Sequence, residues 1–214
     1  MKYTTILFDL DGTLLNTLED LSNSINYALR SLGYPERTLE EVRGFVGNGM
    51  KKLVERALPS DVPDAVLAEC FDIFSGYYSE HLHDFTVPYP GIPELLHVLR
   101  ESGCRIGIVS NKMDGPVKEL AGIYFPDAVD TAVGTPSDHK KPDPYCVYEA
   151  ARSLGSPLEN CIYVGDSRVD AETARNAGIP CIGVTWGFAG RQALEECGPD
   201  YIAESTGEVL ALLR

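Results

Sequence analysis

The sequence predicts an α/β fold, a doubly wound parallel sheet with a group of helices inserted near its start. Five short apolar runs recur along the 214 residues, and four of them are followed directly by Gly, Asp or Ser. The runs are continuous rather than alternating, as expected for strands buried on both faces of a parallel sheet. Helical patterns lie between them, and alternation of this kind is typical of doubly wound sheets, whose ligand sites lie at the carboxyl ends of the strands.

The elements of this sheet follow in order along the chain. The predicted strands span residues 5–8, 105–109, 128–133, 161–164 and 181–184. The predicted helices span residues 92–100, 116–122, 144–154, 169–177 and 191–197. Because parallel strands need long crossover connections, helices at these places are what a parallel sheet requires.

Residues 16–86 depart from the alternation, because they contain helical patterns and no convincing strand. Three series of apolar residues recur at helical spacing: Leu18, Leu21, Ile25, Ala28, Leu29 and Leu32; Met50, Leu53, Val54, Ala57 and Leu58; Val66, Leu67, Cys70, Ile73, Phe74 and Tyr77. Roughly 70 residues are too many for a single crossover. We therefore predict a core domain of residues 1–15 and 87–214 and a helical domain of residues 16–86, with the Pro- and Gly-rich segment 87–93 returning the chain to the sheet.

The charge of the chain limits its partners. It has 18 Lys and Arg against 32 Asp and Glu, a formal net charge of −14. Such a surface repels nucleic-acid backbones and anionic bilayers, so we expect neither nucleic acid nor a membrane as partner. The N-terminus lacks a signal-peptide pattern, and six scattered cysteines without a C-x-x-C pair favour reduced thiols. We expect a cytoplasmic protein, either a monomer or a homodimer.

Two carboxylates follow the first predicted strand. Asp9 and Asp11 are two residues apart, so in an extended chain they point to the same side, and Gly12 permits a tight turn after them. Neighbouring carboxylates bind a divalent cation, or raise one pKa so that an acid lies beside a base. Taken alone, the same residues also fit an Asx turn with Thr13 or Asn16 capping the next helix.

Polar residues also follow other predicted strands. Ser110 and Asn111 come after the second, Lys141 lies in a Lys- and Pro-rich loop, and Asp166 and Asp170 follow the fourth. Helix capping or solvation explains each of them singly. Since the carboxyl ends of parallel strands meet at one edge of the sheet, a single site for a metal and a phosphoryl group is the more economical interpretation.

These motifs resemble those of haloacid dehalogenase superfamily phosphatases, and the similarity covers essentially the whole chain. The matching segments are Asp9-Leu10-Asp11-Gly12-Thr13, Ser110-Asn111, Lys141-Pro142-Asp143-Pro144, and Gly165-Asp166-Ser167 with Asp170. Residues 16–85 resemble the α-helical cap of that family. The resemblance implies Mg²⁺-dependent hydrolysis of a small phosphorylated metabolite through an aspartyl-phosphate.

The resemblance also implies roles for individual residues. Asp9 would be the nucleophile, and Asp11 would protonate the leaving alkoxide and then deprotonate water. The implied phosphoryl-binding residues are Gly12, Thr13, Ser110, Asn111 and Lys141. The implied Mg²⁺ ligands are Asp9, the backbone carbonyl of Asp11, and Asp166, with Asp170 supporting the site.

Residues 43–58 resemble the corresponding segment of phosphoglycolate phosphatases. A loop there would close over the substrate, with Gly47, Asn48 and Gly49 letting the backbone approach it. Arg43 and Lys51 are candidate partners for a substrate carboxylate, although a helix start with a flexible lead-in explains the same pattern. Asn16 replaces the Asp common in the family just after the first motif, a difference that bears on substrate preference.

Three other functions remain open at this point. A sugar-phosphate mutase would pass the phosphoryl group to another hydroxyl, and other phosphatases of the superfamily act as nucleotidases or pyrophosphatases. A phospho-aspartate receiver also combines clustered Asp, a hydroxyl and a Lys on a parallel sheet. It would be much shorter, however, and would lack the helical insertion.

Overall fold

A parallel sheet of six strands forms the centre of the fold in the computed structural model, which describes residues 1–136 and 138–214. In chain order the strands are β1 (Thr5–Phe8), β2 (Leu15–Asn16), β3 (Val87–Pro88), β4 (Arg105–Ser110), β5 (Thr131–Gly134), β6 (Cys161–Gly165), β7 (Cys181–Val184) and β8 (Tyr201–Ala203). The six-stranded sheet has the order β5-β4-β1-β6-β7-β8, while β2 and β3 form a separate antiparallel ribbon. In the register of the sheet, Phe8 of β1 pairs with Ile108 of β4 and Val164 of β6.

The described part of the chain contains ten α-helices. They are α1 (Leu18–Ser31), α2 (Leu39–Phe45), α3 (Met50–Ala57), α4 (Asp64–Glu80), α5 (Ile92–Glu101), α6 (Asp114–Tyr124), α7 (Tyr145–Ser153), α8 (Arg168–Ala177), α9 (Gly190–Cys197) and α10 (Thr206–Leu213). The first four lie between the two strands of the ribbon. None of these helices has the length and apolar composition that crossing a bilayer requires.

The side chains of β1 show how both faces of the sheet are buried. Ile6 and Phe8 pack with apolar side chains of α5, α6 and α10, whereas Leu7 packs with α7 and α8. Successive residues of a strand point to opposite faces, so helices cover the sheet on both sides. The predicted doubly wound α/β fold is therefore confirmed. All six cysteines are buried and free of disulfides.

The third predicted strand begins too early. Residues 128–133 were predicted, but β5 starts only at Thr131. The amides of Ala128 and Val129 both donate to the Phe125 carbonyl in a turn that ends α6. Those amides are therefore not available for pairing with β4, and apolar composition alone does not distinguish such a turn from a strand.

The return from the helical segment to the sheet is held by hydrogen bonds on two sides. Asp20, 2% exposed in the first turn of α1, accepts bonds from Phe85 N, Thr86 N and Thr86 Oγ1 at 2.7–3.2 Å. On the other side, Tyr124 Oη donates to the Thr86 carbonyl at 2.6 Å. These contacts fix where α1 to α4 lie relative to the strand ends.

Candidate active site

Three adjacent strands bring the predicted site residues together at the carboxyl edge of the sheet. Asp9 follows β1 directly, Ser110 ends β4, and Asp166 follows β6. The Asp9 amide continues the ladder by donating to the Val164 carbonyl at 2.9 Å. The convergence expected from the order of the motifs is thus a consequence of the strand order.

Asp9, Asp166 and Asp170 form a buried acidic cluster. One carboxylate oxygen from each lies within 4.8 Å of the others, and the residues are 7%, 2% and 0% exposed. Burial and the charge of Asp170 raise the pKa of Asp9 to about 7, against the opposing effect of Lys141. Burial and the charges of Asp170 and Asp9 likewise hold the pKa of Asp166 well above its usual range.

This cluster fits a divalent metal ion in the chemistry of its donors. Lys141 Nζ lies 2.9 Å from Asp9 Oδ1 and 2.7 Å from Asp170 Oδ1, so a single positive charge faces three buried carboxylates in the described part of the chain. Carboxylate oxygens are the ligands that Mg²⁺ prefers, and a cation among three buried carboxylates offsets their repulsion.

We expect the Asp9→Asn variant to have a higher free energy of unfolding than the unmodified protein in the absence of metal. This advantage should grow as the pH rises from about 4 to about 7. The folded protein retains the Asp9 proton to about pH 7, whereas the unfolded chain releases it near pH 3.8. Ionisation of Asp9 therefore costs stability above the lower pKa, by about 2–4 kcal/mol once the upper one is passed. Asparagine avoids this cost because it carries no charge.

Urea unfolding in EDTA at pH 4.5 and pH 7.5 measures the difference. Asp61→Asn changes an exposed carboxylate and is the matched control. Its free energy of unfolding should change between pH 4.5 and pH 7.5 by the same amount as that of the unmodified protein. The expectation fails if Asp9→Asn raises the free energy of unfolding by the same amount at pH 4.5 and at pH 7.5.

The carboxylate of Asp166 is held in a narrow space between two glycines. Phe188 N donates to Asp166 Oδ2 at 2.6 Å, and the Thr13 hydroxyl lies 3.5 Å from Oδ1. A Cβ on Gly12 would lie 2.5 Å from Asp166 Oδ2, and Gly12 also has a φ of +85°. A Cβ on Gly187 would lie 2.3 Å from the same oxygen. Both positions therefore need glycine for Asp166 to keep its place.

Lys141 is a buried cation next to the acidic cluster. Its Nζ lies 2.9 Å from Asp9 Oδ1 and 2.7 Å from Asp170 Oδ1, and it donates to Tyr163 Oη at 3.1 Å. Burial disfavours the charge, but attraction to Asp170 and Asp9 outweighs it and raises the pKa of Lys141 well above its ordinary value. Asp170 also forms a capping box with Ser167 at the start of α8, so its position is fixed by the helix.

The carboxylate of Asp11 is fixed through one oxygen. Asp11 Oδ1 accepts hydrogen bonds from Thr17 Oγ1 at 2.6 Å and from Lys112 Nζ at 2.9 Å. Burial opposes the charge of Lys112, but the attraction of Asp11 and contact with Tyr78 raise its pKa above the ordinary value. The sequence motifs assign no role to Lys112, although it lies two residues after Ser110, at the end of the Ser-Asn-Lys segment.

A cavity of about 40 Å³ lies between these strand ends and the inserted helices. Its lining comprises Asp9, Asp11, Ser110, Asn111 and Lys112 from the sheet side, and Leu21, Val46, Gly49, Met50 and Leu53 from the helical segment. The sheet side is therefore polar and the helical side apolar. A single water needs a cavity volume of roughly 10–15 Å³, so this cavity has room for only a few atoms.

Asn111 joins two of the strand-end loops. Its Oδ1 accepts bonds from Lys141 N at 2.7 Å and Thr135 Oγ1 at 3.1 Å, and its Nδ2 donates to the Lys141 carbonyl at 3.3 Å. The amide thereby sets the position of the Lys141 backbone. Thr13 likewise connects separate segments of the site. Its hydroxyl faces Asp166, and its carbonyl accepts a hydrogen bond from Trp186 Nε1 at 3.1 Å.

The predicted residues of the helical segment are only partly brought to the cavity. Gly49 lines it, whereas the Asn48 side chain accepts a bond from Arg56 at 2.6 Å, and Gly47 precedes it in the same loop. Arg43 was expected in this loop but lies in the last turn of α2, 3.5 Å from Glu40. The physical reason is a capping box of Thr38 and Glu41, which starts a helix that the apolar pattern did not indicate.

Comparison with known proteins agrees with this geometry. The sequence profile described as haloacid dehalogenase-like hydrolase matches residues 6–184. Phosphoglycolate phosphatase of Pseudomonas syringae pv. tomato is 37% identical over 202 residues, which cover 89% of this chain and 73% of the relative. Phosphoglycolate phosphatase of Vibrio parahaemolyticus is 33% identical over 219 residues, covering 97% and 95%.

A solved structure from Lactobacillus delbrueckii subsp. bulgaricus is also similar over its full length. It superposes with a TM-score of 0.94 at 32% identity and covers 100% of this chain and 99% of that one. The function of that protein as a phosphoglycolate phosphatase is itself a prediction. The similarity extends over the inserted helices as well as the sheet.

Proposed function

The chain belongs to the haloacid dehalogenase-like hydrolases and is a phosphatase, and we propose that it hydrolyses 2-phosphoglycolate with Mg²⁺ through an aspartyl-phosphate on Asp9. The names of its relatives support the substrate. The observation that carries the proposal is the cavity of about 40 Å³ between Asp9, Asp11 and the inserted helices. A space this small has no room for a sugar or a nucleoside, which favours an ester whose leaving group has very few atoms.

Asp9, Asp166 and the backbone carbonyl of Asp11 are the proposed metal ligands, with Asp170 behind them. A Mg²⁺ ion bound there would neutralise charge on the phosphoryl oxygens. The chain itself provides the nucleophile, the acid and base, and the cationic support. We treat residues 16–86 as the cap that covers the site, because their helices provide the apolar wall of the cavity.

In the first proposed step, a carboxylate oxygen of Asp9 attacks phosphorus. The new bond joins Asp9 to phosphorus, the bond from phosphorus to the ester oxygen breaks, and Asp11 gives its proton to the departing alkoxide. Since Thr17 and Lys112 both bind Asp11 Oδ1, Oδ2 is the oxygen left for proton transfer. Ser110 and Lys141 hold the phosphoryl oxygens.

In the second step, water attacks the phosphorus of the aspartyl-phosphate. Asp11 now takes a proton from that water, the bond between phosphorus and Asp9 breaks, and inorganic phosphate and the Asp9 carboxylate are regenerated. Lys141 stays protonated throughout, because Asp9 and Asp170 stabilise its charge. The cycle consumes one water and returns every residue to its starting state.

Phosphate release from a panel of esters tests this proposal. The panel contains 2-phosphoglycolate, glucose 6-phosphate, AMP, pyrophosphate and 4-nitrophenyl phosphate, each with Mg²⁺ and with EDTA. We expect kcat/KM for 2-phosphoglycolate to exceed that for the sugar phosphate and AMP at least about 100-fold, because the cavity excludes their leaving groups. EDTA should abolish turnover of every ester.

Equal rates across the panel, or a preference for the larger esters, would show that the proposed substrate is wrong. A mutase would convert the sugar phosphate into an isomer without releasing phosphate, so isomer analysis separates that activity. A receiver would accumulate stable phosphorylated protein without turnover.

A further inference from the structure

Lys112 has hydrogen-bonding capacity that the described residues do not use. Its side chain is 1% exposed, and its ammonium donates to Asp11 Oδ1 at 2.9 Å and also meets the Tyr78 hydroxyl. An ammonium has three donors. The Tyr78 ring lies beneath the charge, with Nζ 4.7 Å from the ring centroid, so one side of Lys112 faces an aromatic surface.

Tyr78 brings a hydroxyl proton to the side of Lys112. It belongs to α4 of the helical segment and is 1% exposed. Its hydroxyl is buried beside Lys112, and no acceptor in the described part of the chain takes its proton. A buried hydroxyl that donates no hydrogen bond is destabilising, so a group that accepts its proton would be bound favourably there.

The position of Lys112 points to the leaving group of the substrate. Lys112 lines the cavity beside Asp11, the proposed leaving-group acid, and it is the one cation among the described residues that line it. The opposite wall is formed by Leu21, Val46, Met50 and Leu53. An anionic leaving group placed against such a wall needs a cation and donors on its other side.

We propose that Lys112 and Tyr78 bind the carboxylate of the substrate and thereby make the enzyme selective for phosphate esters of short hydroxy acids. A carboxylate has two oxygens that only accept hydrogen bonds, which is the complement of the remaining ammonium donor and the phenolic hydroxyl. In 2-phosphoglycolate a single methylene separates the ester oxygen from the carboxylate carbon. The carboxylate must therefore lie next to Asp11, which is where Lys112 is. This inference rests on the proposed function and adds the residues that select the substrate.

Two esters and two variants test the inference. Ethyl phosphate has the chain length of 2-phosphoglycolate but no carboxylate, so the ratio of kcat/KM for the two esters measures carboxylate recognition alone. Tyr78→Phe removes only the hydroxyl, and we expect the ratio to fall about 10-fold, chiefly through KM for 2-phosphoglycolate. Lys112→Met removes the cation and should lower the ratio at least about 100-fold.

The ratio is the readout because Lys112 also positions Asp11. Misplacing Asp11 slows both esters and leaves the ratio unchanged, whereas loss of carboxylate binding changes the ratio. Tyr77→Phe is the matched control. Tyr77 is the neighbour of Tyr78 in α4, but it stacks between Tyr27 and His81, so its hydroxyl should not affect the ratio.

An unchanged ratio in Tyr78→Phe and Lys112→Met would overturn the inference while the proposed function stands. If the unmodified protein hydrolyses ethyl phosphate as well as 2-phosphoglycolate, the proposed function fails and the inference fails with it. Tyr78→Phe keeps the ring and its packing, so it decides the question even where Lys112→Met does not fold.

Discussion

Lys141→Met is expected to abolish phosphatase activity and to destabilise the protein by about 3–5 kcal/mol. Methionine fills a similar space, but it leaves Asp9 and Asp170 buried without the cation that lies 2.9 Å and 2.7 Å from them. Removing one member of a buried charged group costs far more than removing a surface charge. Urea unfolding at pH 7.5 in EDTA and phosphate release with Mg²⁺ measure the two effects.

Lys118→Met is the control for this experiment. Lys118 pairs with Asp114 in α6, and its side chain is 63% exposed, so its loss should cost less than about 1 kcal/mol. Equal stability losses in the two variants would contradict the argument that the charge of Lys141 compensates the acidic cluster.

A double variant separates the two roles of Lys141. Asp170→Asn removes one of the carboxylates that Lys141 compensates, so in the Lys141→Met background it should restore part of the lost stability. It should not restore activity, because no cation then holds the phosphoryl oxygens. Recovery of activity together with stability would show that Lys141 acts only by stabilising the fold.

The central sheet could be predicted because its strands are continuous apolar runs buried on both faces. Strand β8 could not, because it is a three-residue edge strand in which only Ala203 is fully buried. Helix α2 has one buried residue, Val42, and therefore no apolar stripe, although its Thr-x-x-Glu capping box was legible in the sequence. Short elements at the margins of a fold depend on contacts that periodicity does not encode.

The site residues also divide into those that the sequence pattern places and those that depend on tertiary contacts. Residues that follow neighbouring parallel strands must meet at one edge, so Asp9, Ser110 and Asp166 could be placed together from sequence. Tyr78 could not, because the helical spacing of apolar residues in α4 ends on Tyr77, whereas the structure buries Tyr78, four residues after Phe74. Its contact with Lys112 depends on how the helical segment packs over the sheet, which the local pattern does not specify.

Asp9→Asn is expected to lower kcat at least about 10⁴-fold for every ester in the panel. The amide is a poor nucleophile and cannot form the acyl phosphate through which both proposed steps pass. Because Asp9 is buried and its ionisation costs stability, the variant should remain folded, so loss of turnover cannot be attributed to unfolding. Circular dichroism and phosphate release measure the two properties on the same sample.

The result also distinguishes covalent catalysis from direct attack by water. In a direct mechanism Asp9 would act only as a metal ligand, and asparagine, which retains a carbonyl oxygen, would leave substantial activity at high Mg²⁺. In the covalent mechanism no Mg²⁺ concentration restores turnover, because the missing group is the attacking oxygen. Rapid acid quench and mass spectrometry should detect phosphorylated protein during turnover by the unmodified enzyme and none in Asp9→Asn. Recovery of activity with Mg²⁺ would exclude the aspartyl-phosphate and assign Asp9 to metal binding alone.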